Sequence, residues 1–343
     1  MSKTSKRRYR RANPLKKICL VLCGAVAVLL LGVTLSLVLD SRLSAPIENA
    51  GHRMTAYTKQ RAGAQVYMNG QWHVGRNLDT LLVIGVDNYG EMKGSTSYNN
   101  NGRADFLALF IRDLDTEERT VLHLNRDAMT NIPVLGLTGQ KAGSIYGQLA
   151  LAFSYGRGQE DSCKNVVEAV SHLLYGVEID HYIAVTMDAV PIMNDWVGGV
   201  TVEVLDDFTG IDDTLKLGSM VKLQGDRALT YVRTRWGLDD SSNLHRMKRQ
   251  QQFAAAWMEK AQPFLKNPSA IADLVLSIEP YHYTYYTVEQ FVQFGDMLTD
   301  DGKLISCELP GDNVQGDVYM EYYVDDQALA DMVLKLFYMP IYE

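Results

Sequence analysis

The sequence predicts an α/β (α+β) fold: a single exported layered domain with a mixed central β-sheet flanked by helices, preceded by one N-terminal transmembrane helix. Three observations predict it. An uncharged apolar run of 22 residues, "ICLVLCGAVAVLLLGVTLSLVL", fills 18–39; at about 1.5 Å rise per residue it crosses a hydrocarbon core of roughly 30 Å. Beyond it, short apolar runs such as "TLLVIGVD" (80–87) alternate with segments of helical period such as "EDSCKNVVEAVSHLLYG" (160–176), which is the pattern of layered α/β chains rather than sandwiches. Finally, 343 residues at 47% hydrophobic composition leave ample core for one large domain after the apolar run is set aside.

The elements follow in order. Residues 1–17 carry eight basic and no acidic side chains, so the positive-inside rule keeps them cytoplasmic and sends everything after the 18–39 span outside, as a single-pass membrane protein. That export leaves 25 basic against 41 acidic residues, a net of −16, which argues against nucleic acid as a partner. Residues 40–77, weakly periodic and glycine-dotted, read as an extracytoplasmic stalk, and 78–343 as the folded domain. Strands are expected at 80–87, 106–114, 120–127, 181–187 and in "VTVEVL", and "DRALTYVRTR" carries a strand-like ending. Helices are expected at 160–176, stopped by Gly176, in "DAVPIMNDWVGG", at 242–262, and around 285–299 and 325–338, the last two separated by the extended "KLISCELPG". Of four cysteines, Cys19 and Cys23 fall in the span; Cys163 and Cys307 are exported, where a disulfide is permitted and two free buried thiols are equally compatible.

Charge clusters locally against this acidic background. Arg233, Arg235, Arg246, Lys248 and Arg249 stand close together, followed by Gln250. In an extended segment Arg233 and Arg235 share a face, and on a helix Arg246 and Gln250 stack with Arg249 close by. Converging guanidinium forks suit a diphosphate; the alternative is that they are solvated or paired with Asp226, Asp239 and Asp240. Upstream, "NGRADF" puts Arg103 and Asp105 at the mouth of one strand, and "LNRDAM" puts Arg126 and Asp127 at the end of the next. Strand ends are where layered α/β folds bind ligands, and carboxylates beside phosphates hold Mg²⁺.

The succession "LLVIGVD", "GRADFLALF", "LHLNRD", "LALAFSYG", "YIAVTMDAVPIMNDWVGGVTVEV", "ALTYVRTR" and "HRMKRQQQF" resembles the motifs of the LytR-CpsA-Psr family, from about residue 78 to 260. The resemblance implies a membrane-anchored, Mg²⁺-dependent phosphotransferase. Such an enzyme moves a glycopolymer, a teichoic acid or a capsular or wall polysaccharide, from a polyprenyl diphosphate carrier to peptidoglycan through a phosphodiester. It implies that Arg126, Arg233 and Arg235 clamp the diphosphate, with Arg103, Arg246 and Gln250 beside them. Mg²⁺ is implied at Asp87 and Asp105, with Asp240 as a further ligand, and an apolar cleft for the prenyl chain between sheet and helices. The acceptor hydroxyl needs a proton acceptor, either Asp105 or Asp127. Two positions depart from the family pattern: Asn243 stands where an aspartate is usual, and Gln148 where a lysine is usual, with Lys141 the cation that can reach in from the loop. These departures keep open a carrier-binding or scaffold protein of the same fold, and a pyrophosphohydrolase releasing the polymer is the third reading.

Overall fold

The computed structural model describes residues 63–136, 138–234, 243–299, 304–316 and 319–342; all of them lie in one unit, Ala50–Glu343. The apolar run at 18–39 and its basic tail lie outside the described residues, and among those described no helix is long and apolar enough to cross a membrane.

In chain order the elements are β1 (Gln65–Met68), β2 (Gln71–Gly75), β3 (Leu78–Val86), β4 (Ala104–Asp113), β5 (Arg119–His123), β6 (Met129–Leu135) and β7 (Lys141–Gln148). A 3-10 segment, Leu149–Tyr155, leads to α1 (Glu160–Leu173), β8 (His181–Thr186), α2 (Ala189–Trp196), β9 (Thr201–Glu203) and β10 (Met220–Lys222). Then come α3 (Asp226–Arg233), α4 (Asn243–Leu265), α5 (Pro268–Ser277), β11 (His282–Thr284), α6 (Val288–Thr299), β12 (Leu304–Glu308), β13 (Gly311–Gln315), β14 (Met320–Val324), α7 (Asp326–Phe337) and β15 (Tyr338–Pro340).

The central sheet has the order β11-β8-β3-β4-β5-β12. It is mixed, because β3 pairs antiparallel with β4 and parallel with β8, while β5 pairs antiparallel with β4 and parallel with β12. Its inner strands are continuous apolar runs because both faces are covered. Leu82, Ile84, Leu109 and Leu122 are buried in one core with Val166, Ala169 and Val170 of α1 and with Leu329, Val333 and Phe337 of α7. A second apolar cluster joins Val202 of β9 and Tyr231 and Val232 of α3 to Ala261 and Leu265 of α4 and Ile271 of α5.

Two expectations are corrected, and the cysteine alternative is resolved. Residues 226–233, expected to end as a strand, form α3: Ala228, Leu229, Tyr231 and Val232 are its buried residues, and that one-sided packing outweighs the β-preference of Thr, Tyr and Val. Strands β1 and β2 fall inside the stretch read as stalk, and β15 pairs with β2 to close a three-stranded sheet, so folded structure begins ahead of residue 78. Cys163 and Cys307 are both free thiols, one buried on α1 and the other on β12, where its Sγ faces the Val121 carbonyl oxygen.

Candidate active site

The site begins with an irregularity in the β3–β4 pair. Gly85 pairs with Phe106 but Val86 pairs with Ala104, so Asp105 is the extra residue of a β-bulge, a device that re-aims a side chain. A Cβ on Gly85 would lie 2.9 Å from that of Phe106, so glycine is what lets the two strands meet there. Just past β3, the Asp87 amide donates to the Arg103 carbonyl oxygen at 2.8 Å, extending the pair and placing Asp87 and Arg103 at the same strand end.

The loop after β5 is built by Asn125. Its side-chain oxygen accepts from the Asp127 amide at 3.0 Å and its carbonyl from the Ala128 amide at 3.0 Å, an Asx turn that presents Arg126. That side chain is 6% exposed, and its Nη1 stands 2.7 Å from Asp105 Oδ1, a charge contact outside hydrogen-bond alignment. From the first turns of α4, Arg246, also 6% exposed, donates from Nη1 to Asp105 Oδ2 at 2.6 Å. One carboxylate, 4% exposed, therefore sits between two buried guanidinium groups, one per oxygen.

Around this triad the remaining charges are more open. Arg233, the last residue of α3, is 44% exposed; its Nε lies 3.9 Å from Asp87 Oδ1 and its guanidinium 4.7 Å over the Tyr89 ring, a cation–π contact. Gln250 donates to the Val232 carbonyl oxygen at 3.3 Å, fixing α4 against the end of α3. Arg103 is exposed, and its charge is felt at Arg126. Burial pulls the Arg126 guanidinium below its ordinary pKa, against Asp105 and Asp127, with Arg246 and Arg103 adding to the lowering. Burial also raises the Asp87 carboxyl, reinforced by the charge of Asp105 and opposed by Arg233, Arg246 and Arg126. A small pocket, with room on the order of one water, is lined by Asp105, Phe106, Leu124, Arg126, Met247 and Gln250 between the sheet and α4. His123 lines it too, its pKa lowered by burial against the pull of Glu308, in keeping with a packing role against Phe106.

Arg103, Asp105, Arg126, Arg233, Arg246, Gln250 and Asp87 thus gather at one end of the sheet. Arg235 and Asp240 lie outside the described residues, as does the side chain of Asn243. Asp127 neighbours Arg126, but its Oδ1 accepts from Gln148 Nε2 at 3.1 Å and it does not line the pocket. Two sequence expectations fail here. Lys141 does not reach in from the loop: its Nζ pairs with Glu168 at the surface. Arg249 faces away from the cationic end. It is 0% exposed, donates from Nε to the Tyr231 carbonyl at 2.9 Å and binds Asp206 and the Thr234 carbonyl through its other nitrogens, while Asp206 also meets His245 Nδ1 at 2.8 Å. Tyr89, absent from the sequence-based site, joins it through Arg233; an aromatic two residues after Asp87 was its only signal.

Among the described residues no three His, Cys, Asp or Glu side chains cluster to hold a metal. Asp87 and Asp105, at the same strand end, nonetheless offer the carboxylate oxygens Mg²⁺ takes when phosphate oxygens supply the rest. Asp87, half-buried and held only loosely by Arg233, is the more available ligand, since both Asp105 oxygens already face guanidinium groups.

The profile of the LytR_cpsA_psr family matches residues 46–337, beyond both ends of the motif run. The polyisoprenyl-teichoic acid–peptidoglycan teichoic acid transferase TagU of Halalkalibacterium halodurans is 28% identical over 198 residues, 57% of this chain and 58% of that protein. TagU of Bacillus licheniformis is 26% identical over 259 residues, 75% of this chain and 76% of that protein. The chain thus spans little more than half the length of the first of these relatives. Among solved structures, B. subtilis TagV superposes with a TM-score of 0.57 at 20% identity, covering 76% of this chain and 97% of that one. TagT bound to LIIa-WTA gives 0.58 at 19%, covering 83% and 98%. These structures share the fold. With the profile matching most of its length and the motif residues gathered at one sheet end, the chain belongs to the LytR_cpsA_psr family.

Proposed function

We propose that this protein is a membrane-anchored phosphotransferase that moves a glycopolymer from a polyprenyl diphosphate carrier onto peptidoglycan, on the extracytoplasmic side. The observation that carries the reading is Asp105 held between Arg126 and Arg246 beside a small pocket at the end of the sheet. Two buried guanidinium groups sharing one carboxylate keep a net positive charge, and with Arg233 beside them they suit a diphosphate, with more than one negative charge, better than a monoanion. The names of the relatives, teichoic acid transferases acting between polyisoprenyl-linked polymer and peptidoglycan, support the same chemistry.

In this reading a peptidoglycan hydroxyl oxygen attacks the sugar-linked phosphorus. A new P–O bond forms, the bridging P–O bond breaks, and polyprenyl monophosphate leaves with the electron pair. Arg126 and Arg246 turn from Asp105 to the phosphoryl oxygens, and Arg233, the exposed cation, closes over the outer phosphate, so charge is neutralised where it develops. The hydroxyl proton goes to a carboxylate. Asp105 lines the pocket while Asp127 is engaged by Gln148, which favours Asp105. Mg²⁺, when bound, would be held by Asp87, the more open carboxylate, beside Asp105, and would supply charge neutralisation for the diphosphate.

The test is release of polyprenyl monophosphate from a synthetic polyprenyl-diphosphate saccharide by the full chain in detergent, with Mg²⁺ and peptidoglycan fragments, beside Arg126→Ala. A glycan–peptidoglycan phosphodiester that disappears in the variant supports the transferase. Free glycan phosphate in its place makes the protein a hydrolase, and binding without turnover makes it a carrier-binding protein.

A further inference from the structure

Gln148, the last residue of β7, occupies an unusual junction. Its Nε2 donates to Asp127 Oδ1 at 3.1 Å and to the Met320 carbonyl oxygen at 2.7 Å. An amide nitrogen has two hydrogens, and both are spent on acceptors that cannot donate, so the orientation of the amide is fixed by its partners. The same loop is tied to β14 by backbone as well: the Tyr322 amide donates to the Asp127 carbonyl at 2.9 Å and Ala128 forms a parallel bridge with Tyr322. The C-terminal hairpin of β13 and β14 is thereby docked on the loop that carries Arg126.

The consequence lies on the other side of Asp127. Arg126 Nε stands 3.6 Å from Asp127 Oδ1, too far for a hydrogen bond, and among the described residues this buried N–H has no aligned acceptor. Its Nη1 meets Asp105 by charge rather than by an aligned hydrogen bond. A buried guanidinium N–H without an acceptor is costly, and the carboxylate 3.6 Å from it is the one Gln148 bonds. We infer that Gln148 is a positioning residue: by anchoring Asp127 to the β13–β14 hairpin it keeps the Arg126 Nε–H open for a phosphate oxygen of the substrate. Removing Gln148 takes away one of the ties on Asp127 and lets its carboxylate turn toward Arg126 and compete with the anion.

This inference rests on the anion site proposed above, and the two fail separately. Inorganic pyrophosphate is titrated calorimetrically into the full chain in detergent, for wild type, Gln148→Leu, Asp127→Ala and the double variant. If Asp127 closes on Arg126, Gln148→Leu weakens pyrophosphate binding about tenfold or more, the worth of one hydrogen bond to a charged group. The double variant, with no carboxylate left to close, recovers wild-type affinity, which a merely structural role for Gln148 does not predict. Hydrogen exchange at 311–324 in each variant reports whether the hairpin stays docked, so lost folding and lost positioning are told apart. Wild-type protein that ignores pyrophosphate overturns the anion site itself. Wild-type binding matched by Gln148→Leu, or a double variant as weak as the single one, overturns the role given to Gln148.

Discussion

Asp105→Asn removes the one anion between Arg126 and Arg246 while keeping its shape. In the wild-type protein that carboxylate is 4% exposed, with guanidinium nitrogens at 2.7 and 2.6 Å from its two oxygens. Stripping the shared partner from a buried pair leaves uncompensated charge and costs about 3–5 kcal/mol. For a large domain, at ~2–4 °C per kcal/mol, this lowers the melting temperature on the order of 10 °C. The same loss removes Asp105 as a competitor of an added anion, so inorganic pyrophosphate stabilises the variant more than the wild type; ligand at a hundredfold its Kd contributes about 2.7 kcal/mol. Scanning calorimetry of both proteins, with and without pyrophosphate, reads the two effects together. An Asp105→Asn variant that melts within about 2 °C of wild type would refute the charge balance assigned to the triad. Equal stabilisation of both by pyrophosphate would refute the competition between Asp105 and the anion.

Other consequences concern the frame around the site. Burial pushes the Asp113 carboxyl up, but the Arg76 guanidinium at 2.9 Å and the amides of Thr116 and Asp115 hold it below the usual carboxylate range. Its contribution to stability is therefore complete above the ordinary value of about 4 and is lost as pH falls through the lowered one. Urea unfolding shows Asp113→Asn less stable than wild type near neutral pH, with the gap shrinking as pH falls below about 4. Arg249→Lys keeps the charge but loses the fork that binds Asp206 and the carbonyls of Tyr231 and Thr234; about 2–4 kcal/mol of stability is lost, read as a lower urea midpoint at unchanged slope. Cys163, buried with its thiol pKa pushed up by desolvation and by Asp161, resists maleimide in the native protein and labels on unfolding, read by mass spectrometry of its peptide.

What was legible in the sequence was what local pattern controls. β3, β4 and β8 are continuous apolar runs, and α1 carries its buried residues at helical spacing, so each announced itself without knowledge of its neighbours. The β6–β7 hairpin did not. "MTNIPVL" contains a proline and "KAGSIYGQ" two glycines, compositions that weaken a strand, and among the described strands the two pair only with each other. α5 went unread although its start carried a signal: Asn267 caps it by accepting from the Ser269 amide, with Pro268 in the first turn. In the site, residue types at strand ends pointed to Asp87, Asp105 and Arg126, but the direction of Arg249 depended on where Asp206 lands after β9. A contact across 43 positions leaves no trace in spacing.

The placement of the triad has its own logic. Asp105 and Arg126 hang from strands and loops of the first apolar cluster, with Leu107, Leu109, Leu122 and Leu124 packed around them. Arg246 and Arg233 hang from helices whose apolar faces belong to the second cluster, through Tyr231, Val232 and Ala261. The 2.6 Å contact from Arg246 to Asp105 is therefore a polar tie across the seam between two separately packed halves, reinforced by Gln251 donating to Glu308 of β12 at 2.8 Å. A ligand anion that draws Arg246 off Asp105 exchanges one tie for another, because its oxygens then join Arg126 on one half to Arg246 and Arg233 on the other. Tight packing within each half resists local deformation, so the rearrangement that binding demands falls on the side chains at the seam. In the proposed reaction, rigid cluster interiors and a polar seam would let long arginine side chains adjust to the phosphoryl group while the sheet stays in place.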